Sequence, residues 1–117
     1  MKTAIVGSRN ITNVDLPRFI PAGTTEIVSG GARGVDTVAK EYANRNGLKL
    51  TEFLPDYERF GRGAPLKRNI TIIENADIVL AFWDGKSRGT KFVIDNCRRK
   101  NIPIKIYLAP DFVQMAE

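Results

Sequence analysis

Thr25-Glu26-Ile27-Val28-Ser29-Gly30-Gly31-Ala32-Arg33-Gly34-Val35-Asp36-Thr37-Val38-Ala39 contains three structural signals in succession. The first residues are a short run, Thr25 to Val28, that ends at Ser29-Gly30-Gly31, the pattern of a buried strand. Val35, Val38, Ala39, Tyr42 and Ala43 then fall at i, i+3, i+4, i+7 and i+8. That spacing predicts a helix with one apolar stripe, stopped by Asn46-Gly47. The glycines between them permit a tight turn whose backbone N–H groups converge beside the positive end of the helix dipole. Strand, glycine-rich turn and helix together are the first half of a βαβ unit.

The same order recurs on both sides of this stretch. Ala4-Ile5-Val6 ends at Gly7, Leu48 to Leu54 at Pro55-Asp56, Ile78 to Phe82 before Asp84-Gly85, and Ile104 to Leu108 at Ala109-Pro110. All five runs read as strands covered on both faces. Leu66, Ile70, Ile73 and Ala76 form a second helical stripe. A third helix is predicted from Thr90 to Lys100, with Phe92, Val93 and Cys97 buried. Its end, Arg98-Arg99-Lys100, suits the negative end of the dipole. Ile11 to Pro21 holds a weak helix at best, with Leu16, Phe19 and Ile20 as its apolar side, and Pro55 to Ala64 is the longest irregular piece. The alternation predicts an α/β fold, a Rossmann-like three-layer sandwich whose five-stranded parallel sheet runs 3-2-1-4-5. With no linker, repeat or low-complexity stretch, residues 1–117 are expected to form one domain.

Composition narrows the chemistry. The chain has no histidine, so it cannot build a Ser-His-Asp triad or a histidine-based metal site, and no metal is expected. One cysteine excludes an intrachain disulfide. The formal net charge of +5 lies wholly in residues 59–117, which hold eleven bases and six acids; residues 1–58 are balanced at seven each. No apolar run is long enough for a signal sequence or a membrane span, so a cytoplasmic location and no membrane partner are expected.

In an open parallel sheet, ligands bind beyond the carboxyl ends of the strands, and three polar loops are predicted there. Gly7-Ser8-Arg9-Asn10 offers a sharp turn, a hydroxyl and a planar guanidinium. Ser29-Gly30-Gly31-Ala32-Arg33, with Asp36 just inside the helix, forms an anion cradle or, alternatively, a tight strand–helix turn. It matches neither the dinucleotide motif, which belongs after the first strand, nor a P-loop. Asp36 either complements its own helix dipole or accepts from a ligand hydroxyl. Trp83-Asp84-Gly85-Lys86-Ser87-Arg88-Gly89-Thr90 supplies Lys86, Ser87, Arg88 and Thr90 as phosphate donors, with Gly85 and Gly89 allowing close approach. Trp83 is either a stacking surface or a half-buried rim residue. Arg68 and Asn69, on the first turns of the second helix, can reach the same edge. Placed on this fold, Arg62, Lys67, Arg68, Lys86, Arg88 and Lys91 are expected to gather with Arg9 and Arg33 around one crevice, an arrangement that favours a small phosphorylated ligand over a long polyanion.

Gly7-Ser8-Arg9, Ser29 to Asp36, Arg68-Asn69, Ala76-Asp77 and Ser87-Arg88-Gly89-Thr90 together resemble the SLOG superfamily, in its small stand-alone branch called YspA- or YpsA-like. The resemblance spans nearly the whole chain, and its second motif is also similar to that of the DNA-processing protein DprA. It implies a Rossmann-like domain that binds nucleotides or nucleotide-derived ligands, often as a homodimer, in bacterial or phage settings. The related LOG phosphoribohydrolases carry Pro-Gly-Gly-x-Gly-Thr-x-x-Glu. Here Gly89-Thr90 matches the Gly-Thr, but Val93 stands where the catalytic glutamate belongs and the Pro-Gly-Gly is replaced.

Three functions are therefore weighed. The first is a sensor or sequestering module for a small phosphorylated, nucleotide-derived ligand, with no cofactor required. The second is a nucleotide hydrolase in which carboxylates do the acid–base work, Asp84 first and Asp36 next. The third is single-stranded DNA binding, for which the chain has few aromatic platforms. Leu66, Ile70, Ile72 and Ile73 place apolar residues on more than one side of one helix, which fits a dimer contact or a doubly covered core.

Overall fold

The computed structural model describes residues 1–116. Its sheet contains β1 (Lys2–Gly7), β2 (Glu26–Ser29), β3 (Lys49–Glu52), β4 (Ile78–Trp83), β5 (Ile104–Leu108) and β6 (Val113–Gln114). The order is β3-β2-β1-β4-β5-β6. The first five strands pair in parallel, in the expected 3-2-1-4-5 arrangement. The sixth strand was not expected. It returns antiparallel to β5, with Tyr107 opposite Gln114 and Leu108 opposite Val113. At two residues it is too short to show the alternation that marks a strand.

The crossover helices are α1 (Val35–Arg45), α2 (Tyr57–Phe60), α3 (Ala64–Glu74) and α4 (Arg88–Lys100), with single 3-10 turns at Leu16–Arg18 and Gly61–Gly63. Helix α1 follows its apolar stripe and stops as expected, with Gly47 in the left-handed region at φ 65°. The segment expected to be irregular, Pro55 to Ala64, instead carries α2. Asp56 caps that turn by accepting from the Arg59 N–H at 3.1 Å. This Asx-type cap organises four residues that have no apolar periodicity of their own.

Alternate residues of the central strands enter two separate cores. Ala4, Val6, Val79 and Ala81 pack with Ile72 and Ile73 of α3 and with Val93, Ile94 and Cys97 of α4. Ile5, Leu80 and Phe82 point the other way, to Val35, Ala39 and Ala43 of α1 and to Leu16 of the first connection. Coverage on both faces holds for β1, β2 and β4. It does not hold for β3, an edge strand whose residues are half-buried or exposed. Two stripe residues also differ from expectation. Leu66 is 42% exposed, and within α4 Ile94 is buried while Phe92 is only half-buried. Helix α3 turns Ala64, Ile72 and Ile73 inward, which carries Leu66 round to solvent.

The tightest point of the sheet lies where β1 meets β4 and α1. A Cβ on Gly7 would lie 2.6 Å from the Phe82 carbonyl oxygen and 2.6 Å from Val35 Cγ2. Backbone on one side and a fully buried side chain on the other leave no room to relax. Gly7→Ala is therefore expected to destabilise the fold by about 2 kcal/mol, whereas Leu66→Ser should change stability by less than about 0.5 kcal/mol. Urea unfolding of the two variants checks both.

Candidate functional site

The strand order reverses between β1 and β4. From β1 the chain crosses to β2 on one side, and from β4 it crosses to β5 on the other. The loops that leave these two strands diverge, and between them lies a cleft of about 440 Å³.

Ser8 ties the two loops together. It is 1% exposed, its N–H donates to the Phe82 carbonyl at 3.1 Å, and its Oγ accepts from the Asp84 N–H at 3.2 Å. Asp84 in turn folds the second loop. Its Oδ1 accepts from the N–H groups of Ser87 at 2.7 Å and Lys86 at 2.8 Å. These bonds, that of Ser87 foremost, hold the Asp84 carboxyl below the usual carboxylate range. The turn delivers the chain into α4 with Ser87 as the N-cap. The Ser87 side chain makes no capping bond; its Oγ lies 3.3 Å from Thr90 Oγ1. Ser87, Gly89 and Thr90 line the cleft, and nothing approaches the open side of Gly89 within 4 Å. The start of α4 thus presents backbone donors and a positive dipole end to the cleft.

The facing wall comes from α1 and α3. Arg68 Nη1 donates to the carbonyls of Gly30 at 2.7 Å and Phe53 at 3.3 Å, while its Nε donates to Asn69 Oδ1 at 2.8 Å. Asp36 Oδ2 accepts from the Ala32 N–H at 3.0 Å. Burial pushes the Asp36 carboxyl above its usual range, opposed by the Ala32 bond and then by the Arg68 guanidinium. Burial likewise lowers Arg68, against the pull of Asp36. Arg9 projects into the cleft from β1's loop, and among the described residues its guanidinium has no protein partner.

The cleft gathers Gly7, Ser8, Arg9, Ala32, Asp36, Arg68, Asp84, Ser87, Gly89 and Thr90. Gly30, Gly31 and Arg33 line a neighbouring groove instead. Ser29 is fully buried; it sits near enough to Asp36 to favour the carboxylate, yet its hydroxyl reaches no partner at hydrogen-bonding distance. Asn69 stands behind Arg68 and orients it. Trp83 packs on the core, and its Nε1–H donates to the Ser87 carbonyl at 3.0 Å, which makes it a brace for the loop and not a cleft wall. Arg88 lines neither space.

Three expectations change. The glycine loop is less open than an anion cradle, because Asp36 reaches back from the first turn of α1 to occupy the Ala32 N–H. Gly34, at φ 75°, serves close packing, since a Cβ there would overlap the Arg9 carbonyl. The expected ring of bases reduces to Arg9 and Arg68 in the cleft and Arg33 in the groove. Lys91 pairs with Asp95 at 3.4 Å, and Lys67 Nζ lies 5.8 Å from the Phe60 ring centroid. Of the two candidate acids, burial shifts the Asp36 carboxyl upward and the turn amides shift that of Asp84 downward. Sequence reasoning placed Asn10 in the first loop without giving it a role, and it missed Pro65 and the apolar lining of Val6, Ile72 and Val93. The apolar wall carries no chemical signature.

A doubly wound sheet with a cleft at its switch point, lined by polar loops and an apolar wall, is the architecture of a Rossmann-like ligand-binding domain. Residues 17–60, from the first connection through the glycine loop to α2, match YAcAr, the YspA, cpYpsA-related SLOG family. The Gene 61 protein of Mycobacterium phage D29 is 36% identical over 84 residues, 67% of this chain and 67% of that protein. The chain belongs to the YspA, cpYpsA-related SLOG family. No solved structure matches it significantly. Among the described residues no helix is long and apolar enough to cross a membrane.

The two carboxyls give opposite pH signatures. The folded chain keeps the Asp36 proton above the ordinary value of 3.8, so that contribution is full below the unfolded value and is lost as pH rises through the folded one. Asp36→Asn removes this dependence while keeping an acceptor for Ala32, and it should gain stability relative to the parent as pH rises from about 3 to 7. Asp84 acts in the other sense. Its contribution is full above 3.8 and is lost as pH falls through the lowered folded value. Asp84→Ala should cost about 1 kcal/mol at neutral pH, as loss of a cap does, and less in acid. Urea unfolding of both variants across this pH range measures the two slopes.

Proposed function

We propose that the chain binds a nucleotide or nucleotide-derived ligand through a phosphate in the cleft, and that it acts as a sensor or sequestering module. The observation that carries this reading is the convergence of an unpartnered arginine, Arg9, with the uncapped start of α4 across one cleft at the switch point. Arg9 supplies a planar pair of donors, and Gly89 and Thr90 supply helix-start N–H groups, the combination that suits a phosphate. Membership of the SLOG family supports a nucleotide-related ligand-binding role in general.

The cleft favours holding a ligand over hydrolysing it. Val93, at the position of the glutamate in LOG-type relatives, contributes an apolar wall with Ile72 and Val6. Asp84 is committed to its turn and Asp36 to Ala32. Dispersal of the remaining bases weighs against tracking a long polyanion, which requires a continuous basic face.

Calorimetric titration with AMP, ADP and inorganic pyrophosphate tests the reading. Binding is expected, with a loss of about tenfold or more on Arg9→Ala, the size of one charge-assisted contact. No heat with any probe, or an Arg9→Ala variant that binds unchanged, would contradict it. Chromatography of AMP after prolonged incubation should show no free base; release of adenine would establish the hydrolase reading instead.

A further inference from the structure

We propose that the groove beside the cleft is a compartment for a nucleobase, so that the ligand is a whole nucleotide lying across Arg68, with its phosphate at α4 and its base against Tyr57. This rests on the reading of the cleft as a phosphate site and extends it to residues outside that cleft.

The groove measures about 230 Å³ and adjoins the cleft, with Arg9, Ala32 and Arg68 lining both. Its far wall is Leu54, Pro55 and Tyr57. Leu54 is 68% and Tyr57 57% exposed, two of the seven large apolar side chains exposed among the described residues. The position of Tyr57 is set by structure: it opens α2, the turn that the Asp56 side chain caps. Gly30 and Gly31 also line the groove, Gly30 packed under Arg68 and Gly31 under Leu54 and Glu52. A Cβ on Gly30 would strike Arg68 Nη1 at 2.5 Å, so glycine keeps the shared arginine in place. Arg33 lines the same groove.

An aromatic and aliphatic wall with guanidinium groups in the same groove suits a flat, polar-edged ring. One face of such a ring stacks on Tyr57 and Leu54, and the other meets an arginine plane. A free phosphate or a sugar phosphate has no group that uses the apolar wall. The two compartments together fall within the usual size of a small-molecule site, and the residues that line both set the base and the phosphate at opposite ends of one ligand.

Calorimetry with the four ribonucleoside 5′-monophosphates and with ribose 5-phosphate, which lacks a base, tests this. At least one nucleotide should bind about tenfold or more tightly than ribose 5-phosphate, the size of one base–aromatic stack. Tyr57→Ala should remove most of that advantage and leave ribose 5-phosphate unchanged, while Tyr57→Phe should retain it. Tyr57 is exposed, so the variants are expected to fold, and matching melting temperatures confirm this. Equal binding of nucleotides and ribose 5-phosphate, or an equal loss of both in Tyr57→Ala, overturns the base compartment alone, provided that Arg9→Ala still weakens ribose 5-phosphate. Failure of every probe to bind overturns the phosphate site as well. Light scattering on the same samples adds a further outcome: conversion of a dimer to a monomer by Tyr57→Ala, with nucleotide affinity unchanged, would assign this wall to a subunit contact and overturn the proposal.

Discussion

Everything at the carboxyl edge of this sheet depends on how closely β1 approaches β4. Gly7 lies against the Phe82 backbone with no room for a Cβ, and the next residue, Ser8, bonds to both Phe82 and Asp84. That contact fixes two loops of opposite destination in one place. The chain beyond β1 carries Arg9 outward, the chain beyond β4 turns through Asp84 into α4, and the cleft is the space left as they part. A wider approach would separate Arg9 from the α4 start and remove the site.

The facing wall is held by a second set of contacts, built from groups that would otherwise be strong candidates for ligand binding. Arg68 spends its donors on Gly30, Phe53 and Asn69, and Asp36 accepts from Ala32. Partly buried ionic groups of this kind are tolerable when their hydrogen bonds are made within the protein. They keep the glycine loop, α1 and α3 in fixed register, so the cleft does not have to be assembled when a ligand arrives. Arg9 differs from them in having no partner to give up among the described residues, which leaves its donor set for an anion.

The sequence made the sheet legible because its signals were local. Ile, Val and Leu runs ended by glycine or proline marked β1, β2, β4 and β5, and the stripe from Val35 to Ala43 marked α1. Strand order followed from the alternation. What was hidden rests on side chains acting at a distance or on very short elements. The Asp56 cap that makes α2 resembles an ordinary loop aspartate, and β6 exists only because Val113 and Gln114 return to β5. In the site, Ser8, Arg9, Arg68, Gly89 and Thr90 were readable as polar residues at strand ends and helix starts. The roles of Asp36, Asp84 and Trp83 were not, because each is defined by a backbone group it meets: Ala32, the Lys86–Ser87 turn and the Ser87 carbonyl. The basic residues of α3 and α4 also misled, since net charge counts bases without saying which face of a helix carries them.

A phosphate held between Arg9 and the start of α4 is tested most directly by residue-resolved amide NMR during titration with AMP. Large, saturable shifts should appear at Arg9, Gly89 and Thr90, with little change at the opposite end of the sheet around Asn101 and Ile102. Saturable shifts centred elsewhere, with the Gly89 and Thr90 amides unmoved, would contradict the site.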